Sequence, residues 1–330
     1  MQLRDSYNRT IRDLRISVTD RCNFRCFYCL PNGEPTIARK DKILTFEEMS
    51  YIADIFVDLG ITKIRLTGGE PLMRKDIADL AASISRLKPR LHDLALTTNG
   101  YIFPQLAEKL RTAGVDRVTL SLDSLDPDRF MEITGIDGLE KVFASIDAAR
   151  RVGFDPVKIN TVVIRGHNDS EIVDLARFAR ENAVSMRFIE FMPLDAGHEW
   201  KREMVVSGRE IRDTIEKAYP LKLKCPTRGS ETAWKYTFAD GSPGEIGIIA
   251  PVTEIFCGAC SRIRLTADGQ IRTCLFSTVE HNLRDVIRSG SSRDEITQFI
   301  ESVTLQKEAR HHINDPHFVQ PARTMSFIGG

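Results

Sequence analysis

The sequence has no excess charge: 46 Lys and Arg offset 46 Asp and Glu over 330 residues. A neutral chain has no overall field with which to hold a nucleic acid or an anionic membrane, so positive partners for an anion must be gathered locally. Long apolar runs are missing as well. No segment approaches the ~20 apolar residues of a membrane span. The start, Met1-Gln2-Leu3-Arg4-Asp5-Ser6, lacks the apolar stretch of a secretory signal. A cytoplasmic location is therefore expected. There is no internal repeat and no low-complexity linker. Cysteine, by contrast, is present at 7 positions, and without a visible signal peptide these point to metal binding rather than disulfides. The 42% apolar and 28% charged content is that of a globular chain with a proper core.

Three of the cysteines stand together in Asp20-Arg21-Cys22-Asn23-Phe24-Arg25-Cys26-Phe27-Tyr28-Cys29. The spacing C-x3-C-x2-C lets Cys22, Cys26 and Cys29 reach three corners of one 4Fe–4S cluster. Full protein ligation takes four thiolates, so one iron would stay open to a small molecule. A structural zinc site is the alternative, but zinc normally takes four N or S ligands and the next cysteine is Cys225. This spacing, with Tyr28 directly before the third cysteine, resembles the signature of the radical S-adenosylmethionine (SAM) enzymes. The resemblance implies that the open iron chelates SAM and that one-electron reduction splits it into methionine and a 5′-deoxyadenosyl radical.

Between residues 13 and 192, short β-branched runs alternate with longer amphipathic stretches. Strands are expected at 14–19, 63–67, 93–98, 117–122, 157–164 and 185–191, with helices at 46–58, 77–87, 104–113, 139–152 and 170–182. Thr45 with Glu48 and Ser170 after Asp169 are capping signals. Strands separated by helices imply parallel βαβ units, and six fall short of a closed eight-fold barrel. The fold expected is α/β: an incomplete (β/α)6 TIM-like radical SAM barrel, with a C-terminal antiparallel strand region closing the open side. Residues 1–192 would form the partial barrel and 193–330 the C-terminal region. In the latter, 234–238, 245–250 and 261–275 read as antiparallel strands, with a tight turn at Asp268-Gly269, followed by helices at 283–289 and 293–307. The tail Met325–Gly330 lacks the pattern of a stable element.

Cys257-Gly258-Ala259-Cys260 and Cys274 form a second set of three. The hairpin brings Cys260 and Cys274 together. The set reads as a second 4Fe–4S cluster or as a zinc site with Cys225 or His281 as fourth ligand. Arg262 and Arg264, two apart on a strand, share one face. Arg forks suit phosphate and purine acceptors. Arg15, Arg65 and Lys158 lie on separate strands whose convergence in one channel would explain anion binding by a neutral protein. Lys63 and Arg187 are further candidates for a phosphate end. His311 and His312 read as ordinary polar helix-end residues, and Cys225 as a lone thiol.

The two cysteine sets, Gly68-Gly69-Glu70-Pro71 after a strand and the terminal Gly329-Gly330 resemble the GTP 3′,8-cyclase family, from about Arg9 to Gly330. That resemblance implies SAM contacts from Tyr28, Gly69, Ser121 and Met192, and GTP contacts from Arg15, Arg65, Thr97, Lys158, Arg262, Ile263 and Arg264. It implies two 4Fe–4S clusters, one carried by each cysteine set. The second would bind the guanine edge, and the Gly329-Gly330 tail would be needed for the radical chemistry. The implied reaction abstracts hydrogen from the ribose 3′ carbon of GTP and closes a ring on guanine carbon 8. This is the first step of molybdenum cofactor biosynthesis. A one-electron donor such as flavodoxin, a homodimer, and cyclic pyranopterin monophosphate synthase as the next enzyme are the implied partners. Another radical SAM enzyme with an auxiliary cluster, acting on a peptide, and a non-enzymatic zinc-binding module are the competing readings.

Overall fold

A computed structural model describes residues 2–30, 38–195 and 197–329. Strand and helix alternate through the first part of the chain: β1 (Asp13–Ser17), α1 (Phe46–Asp58), β2 (Lys63–Thr67), α2 (Ile77–Ser85), β3 (Asp93–Thr98), α3 (Phe103–Thr112), β4 (Arg117–Ser121), α4 (Pro127–Thr134), α5 (Leu139–Arg151), β5 (Lys158–Val163), α6 (Ile172–Glu181) and β6 (Ser185–Glu190). The six strands pair in parallel and in chain order. Their alternate side chains, such as Leu14, Ile64, Leu96 and Ile159, face the helices and are almost wholly buried, as a sheet covered by βαβ crossovers requires. Thr45 caps α1 through a reciprocal pair with Glu48. Ser170 makes no such cap, because a tight turn at Asp169–Glu171 leads into α6 instead.

The rest of the chain adds α7 (Gly208–Ala218), β7 (Leu221–Leu223), β8 (Trp234–Phe238), β9 (Glu245–Ile249), β10 (Arg262–Leu265), β11 (Gln270–Arg272), β12 (His281–Asn282), α8 (Leu283–Arg288), α9 (Arg293–Leu305) and α10 (Met325–Ile328). Its strands extend the sheet at both edges: β9 runs parallel to β6, and β10 parallel to β1. Only the outer neighbours β8, β7, β11 and β12 are antiparallel. The region is thus parallel where it joins the barrel and antiparallel outside it. In the order β12-β11-β10-β1-β2-β3-β4-β5-β6-β9-β8-β7, β9 and β10 are not paired. The barrel stays open between them.

The Asp268-Gly269 turn joins β10 to β11, with the Gly269 amide donating to the Thr266 carbonyl. Gly269 has φ +80°, and a Cβ there would meet the Arg284 side chain at 2.6 Å, so this turn favours glycine. Contrary to the sequence reading, the tail forms a helical turn, α10. Arg323 holds it, pairing with both carboxylate oxygens of Asp268 at 3.0 Å and with Glu280 at 2.8 Å. The same guanidinium lies over the Phe327 ring at 4.3 Å.

Candidate active site

The loop after β1 carries the first cysteine set against the C-terminal ends of the strands. Gly69 makes this packing possible. A Cβ there would fall 2.2 Å from the Arg21 carbonyl oxygen, closer than any side chain tolerates. The Gly69 amide donates to the Thr19 carbonyl at 2.7 Å, and the Glu70 amide to that of Arg21 at 2.7 Å. Glu70 is buried and accepts from the Leu72 amide, the Thr98 hydroxyl and the Asn99 amide. Burial lifts its carboxyl to about 7.

Cys22, Cys26 and Cys29 line a cavity of about 320 Å³ that the second set, Cys257, Cys260 and Cys274, also lines. All six thiols are free and half-buried. Burial pushes the first set up: Cys22 to about 11, Cys29 to about 12, and Cys26 well above its ordinary value. Left alone these are neutral thiols; a coordinated cation is what makes such groups thiolates. In the second set burial also opposes charge, but Arg262 and Lys307 draw Cys260 down to about 7. Among the described residues no three Cys, His, Asp or Glu converge on a single ion. Free thiols facing one cavity are the ligand type an iron–sulfur cluster takes. Cys225 is exposed, and neither it nor His281 lines the cavity.

Tyr28, Gly69, Ser121 and Met192 line the same cavity. The Tyr28 hydroxyl donates to Asp123 at 2.6 Å. Asp123, just beyond β4, also accepts from the Val162 amide at 2.8 Å, and burial raises its carboxyl to about 6. Asn160 on β5 faces the cavity with a buried, unpartnered Oδ1. Sequence reasoning missed Asp123 and Asn160. Asn160 pairs with Ser121 in the sheet register and Asp123 follows two residues after Ser121, placements that no local sequence signal marks.

The cations gather deeper in the sheet. Registers of β10, β1 and β2 set Arg264, Arg15 and Arg65 side by side. Arg15, Arg65 and Arg187 line both this cavity and a second, of about 130 Å³, that Lys158, Lys63 and Arg117 also line. Burial, then Arg262, lowers Arg15 to about 10; burial, then Arg15, lowers Arg65 to about 9. Burial, then Arg187, brings Lys158 down to about 7, and burial, then Arg15, holds Arg264 far below its usual value. Like charges crowded out of water in this way favour an anion among them. Thr97 accepts from Arg65 at 2.9 Å, so it orients that guanidinium. Arg262 lies 3.5 Å from the Cys260 sulfur. Ile263 points the other way, buried in the apolar core, leaving only its backbone toward the channel.

The tail enters the same space. Ser326 lines the cavity beside Cys29. Arg264 donates to the Gly329 carbonyl, and Gly329 packs so close to Ser17 and Thr67 that a Cβ would meet Thr67 at 2.8 Å. Gly330 lies outside the described residues. His312 is an exposed residue paired with Asp315. His311 departs from the expectation of a polar helix-end residue: it lies beyond α9, is 6% exposed and lines the cavity.

Residues 16–179 match the Radical SAM superfamily, and residues 184–313 the family described as Molybdenum Cofactor Synthesis C. The chain is 44% identical to a GTP 3′,8-cyclase of Rhodopirellula baltica, covering 99% of this chain and 91% of that protein. It is 44% identical to one of Syntrophomonas wolfei, covering 99% of both. In fold it resembles Streptococcus suis SuiB bound to S-adenosylmethionine, with TM-score 0.65 and 17% identity over 90% of this chain and 69% of that one. A second likeness is to anSMEcpe with bound AdoMet, with TM-score 0.62 and 14% identity over 91% and 82%. By its matches over nearly its full length, the chain belongs to the GTP 3′,8-cyclase family of the radical SAM superfamily.

Proposed function

We propose that this chain cyclises GTP, joining the ribose 3′ carbon to guanine carbon 8 and so opening molybdenum cofactor biosynthesis. The carrying observation is one cavity walled by two cysteine triads and continuous with a buried cluster of cations. When bound and reduced, the cluster at Cys22, Cys26 and Cys29 supplies the electron that splits SAM and yields the 5′-deoxyadenosyl radical. Residues 1–192 supply the SAM half of the site and 193–330 most of the base-binding half.

The chain's own residues order the reactants. Gly69 uses its amide on Thr19, so a SAM ammonium would meet its carbonyl. Tyr28, Ser121 and Met192 wall the space for the nucleoside, and the orphaned Asn160 Oδ1 offers an acceptor there. Arg15, Arg65, Lys158 and Arg187 take the triphosphate, and Arg262 and Arg264 stand where the purine meets the second triad. Gly329, whose carbonyl accepts from the cavity-lining Arg264, would help keep water and stray hydrogen donors from the reacting carbon. Holding reacting atoms roughly 3–3.5 Å apart is what such a closed site contributes. A one-electron donor such as flavodoxin, a homodimer and delivery to cyclic pyranopterin monophosphate synthase complete the reading.

Anaerobic incubation with SAM, GTP and a reductant tests it. The cyclised nucleotide, with 5′-deoxyadenosine and methionine, is the expected product set; intact GTP beside cleaved SAM would sink the reading.

A further inference from the structure

Beyond α9 the chain turns back beneath the second triad and presents Lys307 and His311 to the cavity wall. Lys307 donates to the Thr273 carbonyl. His311 has no comparable partner. It is 6% exposed, yet neither ring nitrogen makes a hydrogen bond of normal geometry. Buried polar groups are nearly always satisfied, and one left dry costs stability that an apolar ring of the same size would not. The Phe276 ring packs against the imidazole at 5.4 Å, tilted by 59°. Phe276, Pro251 and all three cysteines of the second triad line the same cavity.

The surroundings fix what the missing partner must be. On one side the ring faces the Pro251 backbone, which can offer only a carbonyl oxygen. A carbonyl accepts, so the ring nitrogen on that side carries the hydrogen. In a neutral imidazole the other nitrogen is then an acceptor. Burial favours that neutral ring. That nitrogen therefore suits a hydrogen-bond donor. Phosphates and cluster sulfides only accept, and the ribose must face the first triad to react. Guanine carries N–H donors on one edge.

We propose that His311 recognises the base: its free ring nitrogen accepts an N–H from guanine held at the second triad. This rests on the GTP reading above and adds to it a residue that selects the purine.

The test uses anaerobically reconstituted, two-cluster protein without SAM or reductant, so nothing turns over. Dissociation constants are measured for GTP and for inorganic tripolyphosphate, in the unsubstituted protein, in His311→Phe and in His311→Gln. Losing one neutral hydrogen bond should weaken GTP binding about 3- to 10-fold in His311→Phe. Tripolyphosphate binding and iron content should not change. His311→Gln, whose amide oxygen again accepts, should recover part of the loss. The change that GTP causes in the electron paramagnetic resonance spectrum of the reduced second cluster should differ in His311→Phe. If His311→Phe fails to take up iron, His311→Asn, too short to reach, carries the same test. Equal GTP affinity in the variants, or equal weakening toward both ligands, would overturn the proposal. Should the unsubstituted protein bind GTP no better than tripolyphosphate, the guanine-nucleotide reading itself fails, a result no His311 variant can produce.

Discussion

The charge of Lys158 is finely poised, held to about 7 first by burial and then by Arg187 and Arg117. Below that pH the empty site already presents the ammonium to a phosphate; above it, binding must first draw in a proton. GTP affinity should therefore fall as pH rises from 6 to 9, and Lys158→Met should lose that part of the slope. Identical slopes in titrations of both proteins would show that Lys158 does not meet the anion. The stability of the empty protein moves oppositely. The unfolded chain keeps Lys158 charged up to its ordinary value near 10.4, so it binds more protons above 7 and folding gains as pH rises through that window. The cysteine triads make a second residue-scale prediction. Replacing Cys22, Cys26 and Cys29 with Ser should abolish SAM cleavage and leave about half of the roughly eight irons that two such clusters hold; retention of all the iron would refute the assignment. The cysteines and paired arginines were legible because spacing alone carries their chemistry. Asp123, Asn160 and His311 were not, since each acquires meaning only from what burial leaves around it.

At the scale of elements, the Gly68-Gly69 turn fixes the first cysteine loop by backbone contact. Gly69→Ala would thrust a methyl at the Arg21 carbonyl, 2.2 Å from where its Cβ must sit. Iron bound by the first triad should fall while that of the second persists, as iron analysis and spectroscopy of the two clusters can show. Arg323 does the same for the tail, binding Asp268 and Glu280 and covering Phe327. Arg323→Ala should make the C-terminus susceptible to carboxypeptidase and sharply lower cyclisation, with iron content and SAM binding intact. A tail still resistant to digestion would contradict that role. The six parallel strands were readable from β-branched runs alone, to within one or two residues. Short elements were not: α4 spans 8 residues, too few for a period to emerge. α7, which buries Ile211 and Ile215 along one side, does carry a helical period that the sequence reading missed. α10 depends on Arg323 and the barrel rim, contacts that no local sequence signal reports.

Taken as a whole molecule, the chain places two thiol triads that lie more than two hundred residues apart around one cavity. Sheet topology does this: β10 returns to pair with β1, so the segment bearing Cys257 and Cys260 lands beside the barrel's first strand. The same pairing aligns Arg264, Arg15 and Arg65, which is how a protein with no net charge assembles a strongly cationic interior. The sequence suggested that the C-terminal strands would be antiparallel; parallel joining at both edges depends on long-range pairing that hydrophobic periodicity does not encode. Among the described residues no helix is long and apolar enough to cross a membrane. The central claim is that this shared cavity presents the ribose 3′ carbon of GTP to a radical made from SAM. GTP carrying deuterium at that carbon tests it most directly. Incubated anaerobically with SAM and reductant, the protein should yield 5′-deoxyadenosine that contains the deuterium and a cyclised nucleotide that has lost it. Unlabelled 5′-deoxyadenosine beside a product that keeps its 3′ deuterium would contradict the account.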